Sequence, residues 1–175
     1  MPGQHQGEAW DPAVIGDKKA KFTSLYLMRR PDLLQRLRDE LPYPVVFIHA
    51  VRNPFDNIAT IVRRDGDPFA EAMRKYFTPL DTIEHLRSQW PAERFVEVHL
   101  EDLVASPHGE LTRLCTALGV DTNPGSYLDD CADIVFDTPQ KSRNKVSWDG
   151  QTVSEIQKRC RQYSFLHRYA DQTPE

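Results

Sequence analysis

The stretch VVFIHAVRNPFDNIAT, residues Val45 to Thr60, decides the fold. Its first seven residues are apolar or nearly so, which is typical of a buried strand. Arg52 and Asn53 then form a turn, and Pro54 suits the first position of a helix. This arrangement predicts an anion site, because backbone N–H groups, the helix dipole and the guanidinium all attract a phosphate. The alternative is that Arg52 only caps a carbonyl or pairs with an aspartate.

The rest of the chain alternates helical and extended patterns. The predicted elements are a helix from Pro31, a strand over 45–51, a helix from Pro54 to about Arg63, a helix from Thr78 to Trp90, a strand over 95–100, a helix from Pro107 that Gly119 closes, a short segment over 127–134, and a last helix capped by Thr152 and Glu155. Strands that alternate with helices predict an α/β layered domain with parallel pairing. Two strands are fewer than a buried parallel sheet usually has.

Size and charge limit the possible classes. The 175 residues fit one domain, which we place at 14–170, between a flexible lead-in over 1–13 and a tail over 171–175. A net charge of −4 argues against general attraction to nucleic acid or an anionic membrane. No apolar run approaches the roughly 18 residues of a membrane span, and the first residues lack the features of a signal peptide. A cytoplasmic protein is the default expectation.

The pattern RNPxDxxxT after a buried strand resembles the 3′-phosphate-binding motif of sulfotransferases that use 3′-phosphoadenosine 5′-phosphosulfate (PAPS). In that family the arginine and a serine eight residues later contact the 3′-phosphate, and the matching positions here are Arg52 and Thr60. Threonine keeps the hydroxyl donor of serine. A helix rises about 9 Å between Pro54 and Thr60, so Thr60 reaches the same phosphate only from the flank of the helix or if the helix starts late.

A second segment, VEVHLEDLVASPHGELTRLCTALGV over 96–120, resembles the strand and helix that follow the phosphate motif in this family. Many members carry a tyrosine near the adenine at the position that Leu100 occupies, so that contact is lost here. The spacing of Leu111, Leu114 and Leu118 is equally typical of an amphipathic helix packed on a core. The segment supports the resemblance mainly because it follows the first motif in the same order as in the family.

A third segment, KSRNKVSW over 141–148, is similar to the basic loop that folds over the nucleotide phosphates in sulfotransferases. The resemblance implies that Lys141, Ser142 and Arg143 supply donors and that Trp148 anchors the loop by packing. A basic loop without this context is usually a solvated surface run.

The resemblance also suggests a catalytic pair. In relatives that act on carbohydrates, an acidic residue followed by lysine lies some 35 residues before the motif arginine, and Asp17 and Lys18 match it. A carboxylate would take the proton of the acceptor hydroxyl, and an ammonium would stabilise charge on the sulfuryl oxygens. A simple surface ion pair is the alternative. His49, inside the strand, is interpreted as a packed histidine rather than a catalyst.

The implied fold is a P-loop-NTPase-like, three-layer sulfotransferase fold with a parallel sheet, which lacks its first strand and phosphate loop. None of the eight glycines begins a Gly-Lys-Ser/Thr loop. The resemblance therefore covers roughly residues 14–170 but only the later part of the family's domain, and the loop that would hold the 5′-phosphosulfate has no counterpart.

The predicted function is sulfuryl transfer from PAPS, as co-substrate and without a metal, to a hydroxyl or amine of a small-molecule or carbohydrate acceptor. The alternative is an inactive or incomplete domain that only binds a phosphoadenosine nucleotide. A kinase-like enzyme ranks last, since it needs the same loop and an acidic magnesium ligand. No nucleic-acid or membrane partner is expected. An unpaired sheet edge would favour a homo-oligomer.

Overall fold

The computed structural model describes residues 14–16, 20–121 and 127–174. The helices and strands are α1 (Ala20–Arg29), α2 (Pro31–Asp39), β1 (Phe47–Val51), α3 (Pro54–Asp65), α4 (Phe69–Gln89), β2 (Phe95–His99), α5 (Leu100–Ala105), α6 (Pro107–Leu118), α7 (Tyr127–Asp133) and α8 (Gly150–Cys160), with 3-10 helices at Ala92–Arg94, Ser142–Lys145 and Ser164–Tyr169. The predicted lead-in over 1–13 lies outside the described residues.

The sheet of the described chain has two strands, and they are parallel. Its register pairs Phe47 with Phe95 and continues to the pairing of Val51 with His99. The long connection between the strands contains α3 and α4, as parallel pairing requires. The predicted α/β class with parallel strands is therefore confirmed, within a fold that is mostly helical.

The turn after β1 positions the start of α3. Asn53 is the N-cap, and its side-chain oxygen accepts the N–H of Phe55 at 3.0 Å. Pro54 occupies the first helical position, where a missing N–H costs nothing. The helix ends at Gly66, whose φ of 73° is the left-handed conformation that glycine adopts without steric penalty. The prediction of a helix from Pro54 to about Arg63 is confirmed, and the helix continues two residues further, to Asp65.

Two predicted boundaries around α4 and β2 are wrong. The helix expected to begin at Thr78 is the second half of α4, which runs through Pro79. Burial of Ala72 and Phe77 continues the apolar face past the proline, and this packing outweighs the loss of one helical hydrogen bond. Leu100, expected at the end of the second strand, instead begins α5.

The start of the last helix is also corrected. The predicted capping box of Thr152 and Glu155 would start the helix near Val153, but α8 begins at Gly150. Asp149 is the N-cap, and its carboxylate accepts the Thr152 backbone N–H at 2.8 Å and the Thr152 hydroxyl at 2.7 Å. An aspartate three residues earlier supplies a better acceptor than the threonine hydroxyl.

The main core lies between α3, α4, α8 and the C-terminal 3-10 helix. Its fully buried side chains include Phe55, Ile58, Ile156, Cys160 and Leu166. A smaller core cluster packs α1 and α2 against the end of α4, and its buried members are Leu27, Leu34, Leu86 and Trp90. Both cores are built from residues of several helices, so the site described below rests on a packed framework.

The two strands of the sheet are buried on opposite faces. Phe47, His49 and Val51 share one face of β1, and Val51 joins the main core. On the other face Ile48 is 47% exposed, although its partner across the strands, Val96, is 7% exposed. Within the described residues no strand pairs with the second edge of β1. No described helix is both long and apolar enough to cross a membrane.

The core predicts a contrast between two leucine-sized truncations. Leu166→Ala removes a fully buried side chain of the main core, and we expect the free energy of unfolding to fall by about 2–5 kcal/mol. Ile134→Ala removes a side chain that is 81% exposed, and it should change stability by at most about 0.5 kcal/mol. Urea unfolding followed by circular dichroism measures both. Equal losses would contradict this placement of the core.

Candidate functional site

The loop over 140–145 lies against the end of β1 and the start of α3. The Nη2 group of Arg52 donates to the backbone carbonyl of Gln140 and, at 3.3 Å, to Oγ of Ser142. The described structure thus brings together two of the residues expected to bind phosphate, Arg52 and Ser142, from distant parts of the sequence. Arg52 also caps a carbonyl, that of Gln140, as the alternative interpretation predicts.

Asp56, in the first turn of α3, holds the next residue of the loop. Its Oδ1 accepts the backbone N–H of Arg143 at 2.9 Å, and its Oδ2 pairs with Arg143 Nη2 at 3.0 Å. Asp56 is 1% exposed and Arg143 is 9% exposed. A solvated surface run is therefore the wrong description of Ser142 and Arg143, which are buried, while Lys141 beside them is exposed.

Trp148 fixes the far end of the loop. Its Nε1–H donates to the carbonyl of Arg143 at 2.9 Å. Its ring lies edge-on to Phe55, with ring centroids 5.3 Å apart, and 4.8 Å from the centroid of Phe69. The prediction that Trp148 anchors the loop by packing is confirmed.

Two donors at this junction have no acceptor. Among the described residues, the buried Nε–H groups of Arg52 and Arg143 make no hydrogen bond. A buried donor without a partner costs about 1–3 kcal/mol, more when it is charged. Asp56 pairs with Arg143, whereas Arg52 contacts a carbonyl and a hydroxyl and forms no ion pair among the described residues, so its positive charge is not neutralised there. An anion with oxygen acceptors would satisfy both the geometry and the charge.

The backbone N–H groups at the start of α3, unlike these two side-chain donors, already have acceptors. Glu101 Oε1 accepts the N–H of Asn53 at 2.9 Å, and the N–H groups of Asp56 and Asn57 donate to the carbonyl of Asn53. With Pro54 lacking an N–H and Phe55 bound to the cap, the first turn has no free donor. The predicted contribution of helix N–H groups to anion binding is therefore wrong, and the side chains must supply the donors.

The other predicted site residues lie apart or outside the described chain. The hydroxyl of Thr60 donates to the carbonyl of Asp56 at 2.7 Å, so its proton is held by the helix itself. Asp17 and Lys18 lie outside the described residues. No group of three or more His, Cys, Asp or Glu side chains in the described chain is arranged to hold a metal.

A polar network next to the site was missed by the sequence interpretation. The Tyr169 hydroxyl donates to Glu101 Oε2 at 2.7 Å and lies 3.0 Å from His99 Nδ1. The Asn53 amide donates to Gln172 Oε1 at 2.8 Å. Burial, reinforced by the Glu101 carboxylate, raises the pKa of Tyr169 well above its usual value. The network connects the C-terminal 3-10 helix to the start of α3. Its only sign in the sequence is Glu101, an acidic residue just after the second strand.

His49 is packed rather than reactive. Its ring meets Phe165 edge-on, with centroids 4.7 Å apart, and its buried Nδ1 has no partner among the described residues. Burial, with smaller contributions from His99 and Arg87, lowers the pKa of His49 to about 4. The interpretation of His49 as a packed histidine agrees with these contacts.

His49 predicts a pH dependence of stability. Its pKa is about 4 in the folded protein and about 6.5 when unfolded, so between these values the unfolded chain binds more protons. The free energy of unfolding should therefore fall as pH drops from about 6.5 towards 4, by at most about 3 kcal/mol. We expect His49→Phe to flatten this slope in urea unfolding between about pH 7 and pH 5. The same slope in both proteins would contradict the buried neutral imidazole.

Comparison with known protein families relates the chain to one of them. The family model described as the sulfotransferase family matches residues 32–124, which is more than half of the chain. The matched part contains β1, α3 and β2, and so includes Arg52, Asp56 and Glu101. No curated protein matches the chain, and no solved structure does.

Proposed function

The chain belongs to the sulfotransferase family, and we propose that it transfers a sulfuryl group from PAPS to a hydroxyl or amine of a small-molecule or carbohydrate acceptor. The observation that carries this proposal is the pair of buried Nε–H groups on Arg52 and Arg143, which have no acceptor in the part of the chain that the structure describes. Arg52 occupies the position that matches the arginine of the family's 3′-phosphate motif, and Arg143 follows Ser142, whose hydroxyl accepts from Arg52. A phosphate matches guanidinium donors in both charge and geometry, as a carboxylate does, and the family resemblance favours the phosphate.

Arg52 is the proposed principal ligand of the 3′-phosphate. Arg143 and Ser142 complete the site from the loop, and Lys141, which is exposed at its start, adds a mobile positive charge. Thr60 is the weakest member, because its hydroxyl must first release the Asp56 carbonyl before it can donate to a ligand. All five residues are therefore proposed to bind the nucleotide, with unequal contributions.

Asp17 is the proposed base and Lys18 its cationic neighbour. In the proposed reaction the acceptor oxygen or nitrogen forms a bond to sulfur, while the bond from sulfur to the bridging phosphate oxygen breaks. The acceptor proton passes to the Asp17 carboxylate, and 3′,5′-phosphoadenosine leaves. This reaction needs positioning and charge stabilisation more than covalent catalysis, as phosphoryl transfer does.

The proposed fold is the P-loop-NTPase-like arrangement of the family. The parallel pair of β1 and β2, with helices in the connection between them, supports it. The half-exposed Ile48 and the unpaired edge of β1 leave room for a further strand. A homo-oligomer formed through this edge is the corresponding proposal for assembly.

Removal of the Arg52 guanidinium tests nucleotide binding. We expect Arg52→Ala to raise the Kd for 3′,5′-phosphoadenosine about 10- to 100-fold, since hydrogen bonds to charged groups contribute about 1.5–3 kcal/mol. Isothermal titration calorimetry measures the change. Arg64→Ala is the matched control, because Arg64 lies at the far end of α3, its side chain is 70% exposed, and in the described chain it pairs with the neighbouring Asp65. Equal affinities of wild type and Arg52→Ala would count against the proposed site.

Neutralisation of Asp17 tests catalysis separately. We expect Asp17→Asn to lower kcat with radiolabelled PAPS by about 100-fold or more, as loss of a general base does. The Kd for 3′,5′-phosphoadenosine should stay within about 2-fold of wild type. Full turnover by Asp17→Asn would exclude the base role. If wild type binds the nucleotide but no acceptor in a panel is sulfated, the chain only binds nucleotide.

A further inference from the structure

We propose that Asp56 is a positioning residue that controls nucleotide affinity by holding the 140–145 loop in its closed place. The inference rests on the proposed function, since it concerns the same site. Asp56 carries no donor and is no ligand of a phosphate. It acts through the residues that it binds.

The contacts of Asp56 reach two of the proposed ligands. Its carboxylate binds Arg143 twice, at the backbone N–H (2.9 Å) and at Nη2 (3.0 Å). Its carbonyl accepts the Thr60 hydroxyl at 2.7 Å. It also lies one helical turn after Arg52, which holds Gln140 and Ser142 of the same loop. The loop is therefore fixed to α3 at consecutive points, and Asp56 supplies the buried ones.

The double contact sets the orientation of Arg143 as well as its place. With Nη2 engaged by Oδ2 and the main chain engaged by Oδ1, the planar guanidinium loses its freedom to rotate. Its Nε–H remains buried and without an acceptor in the described chain. A preorganised donor loses less entropy when it binds an anion. The Asp56 carboxylate is thus what keeps this donor ready for a ligand.

Charge and positioning predict opposite results for one substitution. Asp56 is a negative group in direct contact with the Arg143 guanidinium, so in a purely electrostatic account its neutralisation strengthens binding of a nucleotide phosphate. If Asp56 positions the loop, neutralisation weakens binding, because the loop opens and the guanidinium is no longer fixed. The direction of the change in Kd therefore separates the two roles.

The experiment compares wild type, Asp56→Asn and Asp56→Ala at two readouts. The first is trypsin cleavage after Lys141, Arg143 and Lys145 without nucleotide, which reports opening of the loop. The second is the Kd for 3′,5′-phosphoadenosine by calorimetry. We expect Asp56→Asn to raise the cleavage rate about 5-fold or more and the Kd about 10-fold, with larger changes in Asp56→Ala.

Leu34→Ala is the control for general loss of stability. Leu34 is buried in the smaller core cluster, which Asp56 does not join, so its truncation lowers the melting temperature and should leave loop cleavage and Kd as in wild type. If Asp56→Ala fails to fold, two measurements still test the positioning role: the Kd of Asp56→Asn, and hydrogen exchange of the Arg143 amide in the wild type. That amide should exchange slowly, because it donates to a buried carboxylate.

The outcomes distinguish this inference from the proposed function. A Kd that is unchanged or lower in Asp56→Asn overturns the positioning role, while nucleotide binding by wild type upholds the function. Rapid exchange of the Arg143 amide in wild type also overturns it. If wild type does not bind the nucleotide at all, the proposed function fails and the control of affinity fails with it, even where loop cleavage shows that Asp56 anchors the loop.

Discussion

The buried ion pair between Asp56 and Arg143 is the interaction on which the site depends. It joins the first turn of α3 to a loop that lies 87 residues later in the chain. Removal of both charges from water is costly, and such a pair is stable only when further hydrogen bonds satisfy the remaining oxygens. Here Asp56 uses one oxygen for a guanidinium and the other for a backbone N–H. Loss of one partner from a buried pair typically costs about 3–5 kcal/mol.

The same interaction links the core to the site. Phe55 is fully buried in the main core and lies next to Asp56, and its ring also meets Trp148, which binds the carbonyl of Arg143. Packing of α3 therefore determines where the loop lies. On the other side of the helix start, Glu101 accepts the N–H of Asn53 and the Tyr169 hydroxyl. Carboxylates from two elements thus hold the turn after β1, and among the described residues the Nε–H groups of Arg52 and Arg143 are left without an acceptor.

The sequence predicted the local features and missed those that depend on distant contacts. The buried strand, Pro54 at the start of α3 and Gly66 at its end follow from side-chain polarity and backbone geometry, and they are found in the structure. Pro79 in the middle of α4 was misinterpreted as a helix start, because burial of Phe77 and its neighbours overrides the local preference of proline. The cap at Asp149 was missed because Thr152 and Glu155 formed a more conspicuous pattern.

Prediction of the site was limited for the same reason. The motif indicated Arg52, and the order of segments indicated Ser142 and Arg143, which do meet at the end of β1. The motif did not show that Glu101 occupies the backbone amide of Asn53, because that contact joins residues 48 apart. Asp56 lies within the motif, but its role depends on the fold of the later loop. A strand-to-helix turn thus predicts an anion site, and only tertiary structure shows which of its donors already have an acceptor.

The most direct test of the account is to observe the two free donors during binding. Nuclear magnetic resonance detects arginine Nε–H groups individually, and Arg52→Lys and Arg143→Lys assign their signals. We expect both signals to shift downfield as 3′,5′-phosphoadenosine is added, and adenosine 5′-monophosphate, which lacks the 3′-phosphate, to leave them in place. Signals that stay unchanged at saturating 3′,5′-phosphoadenosine would contradict a 3′-phosphate site at this junction.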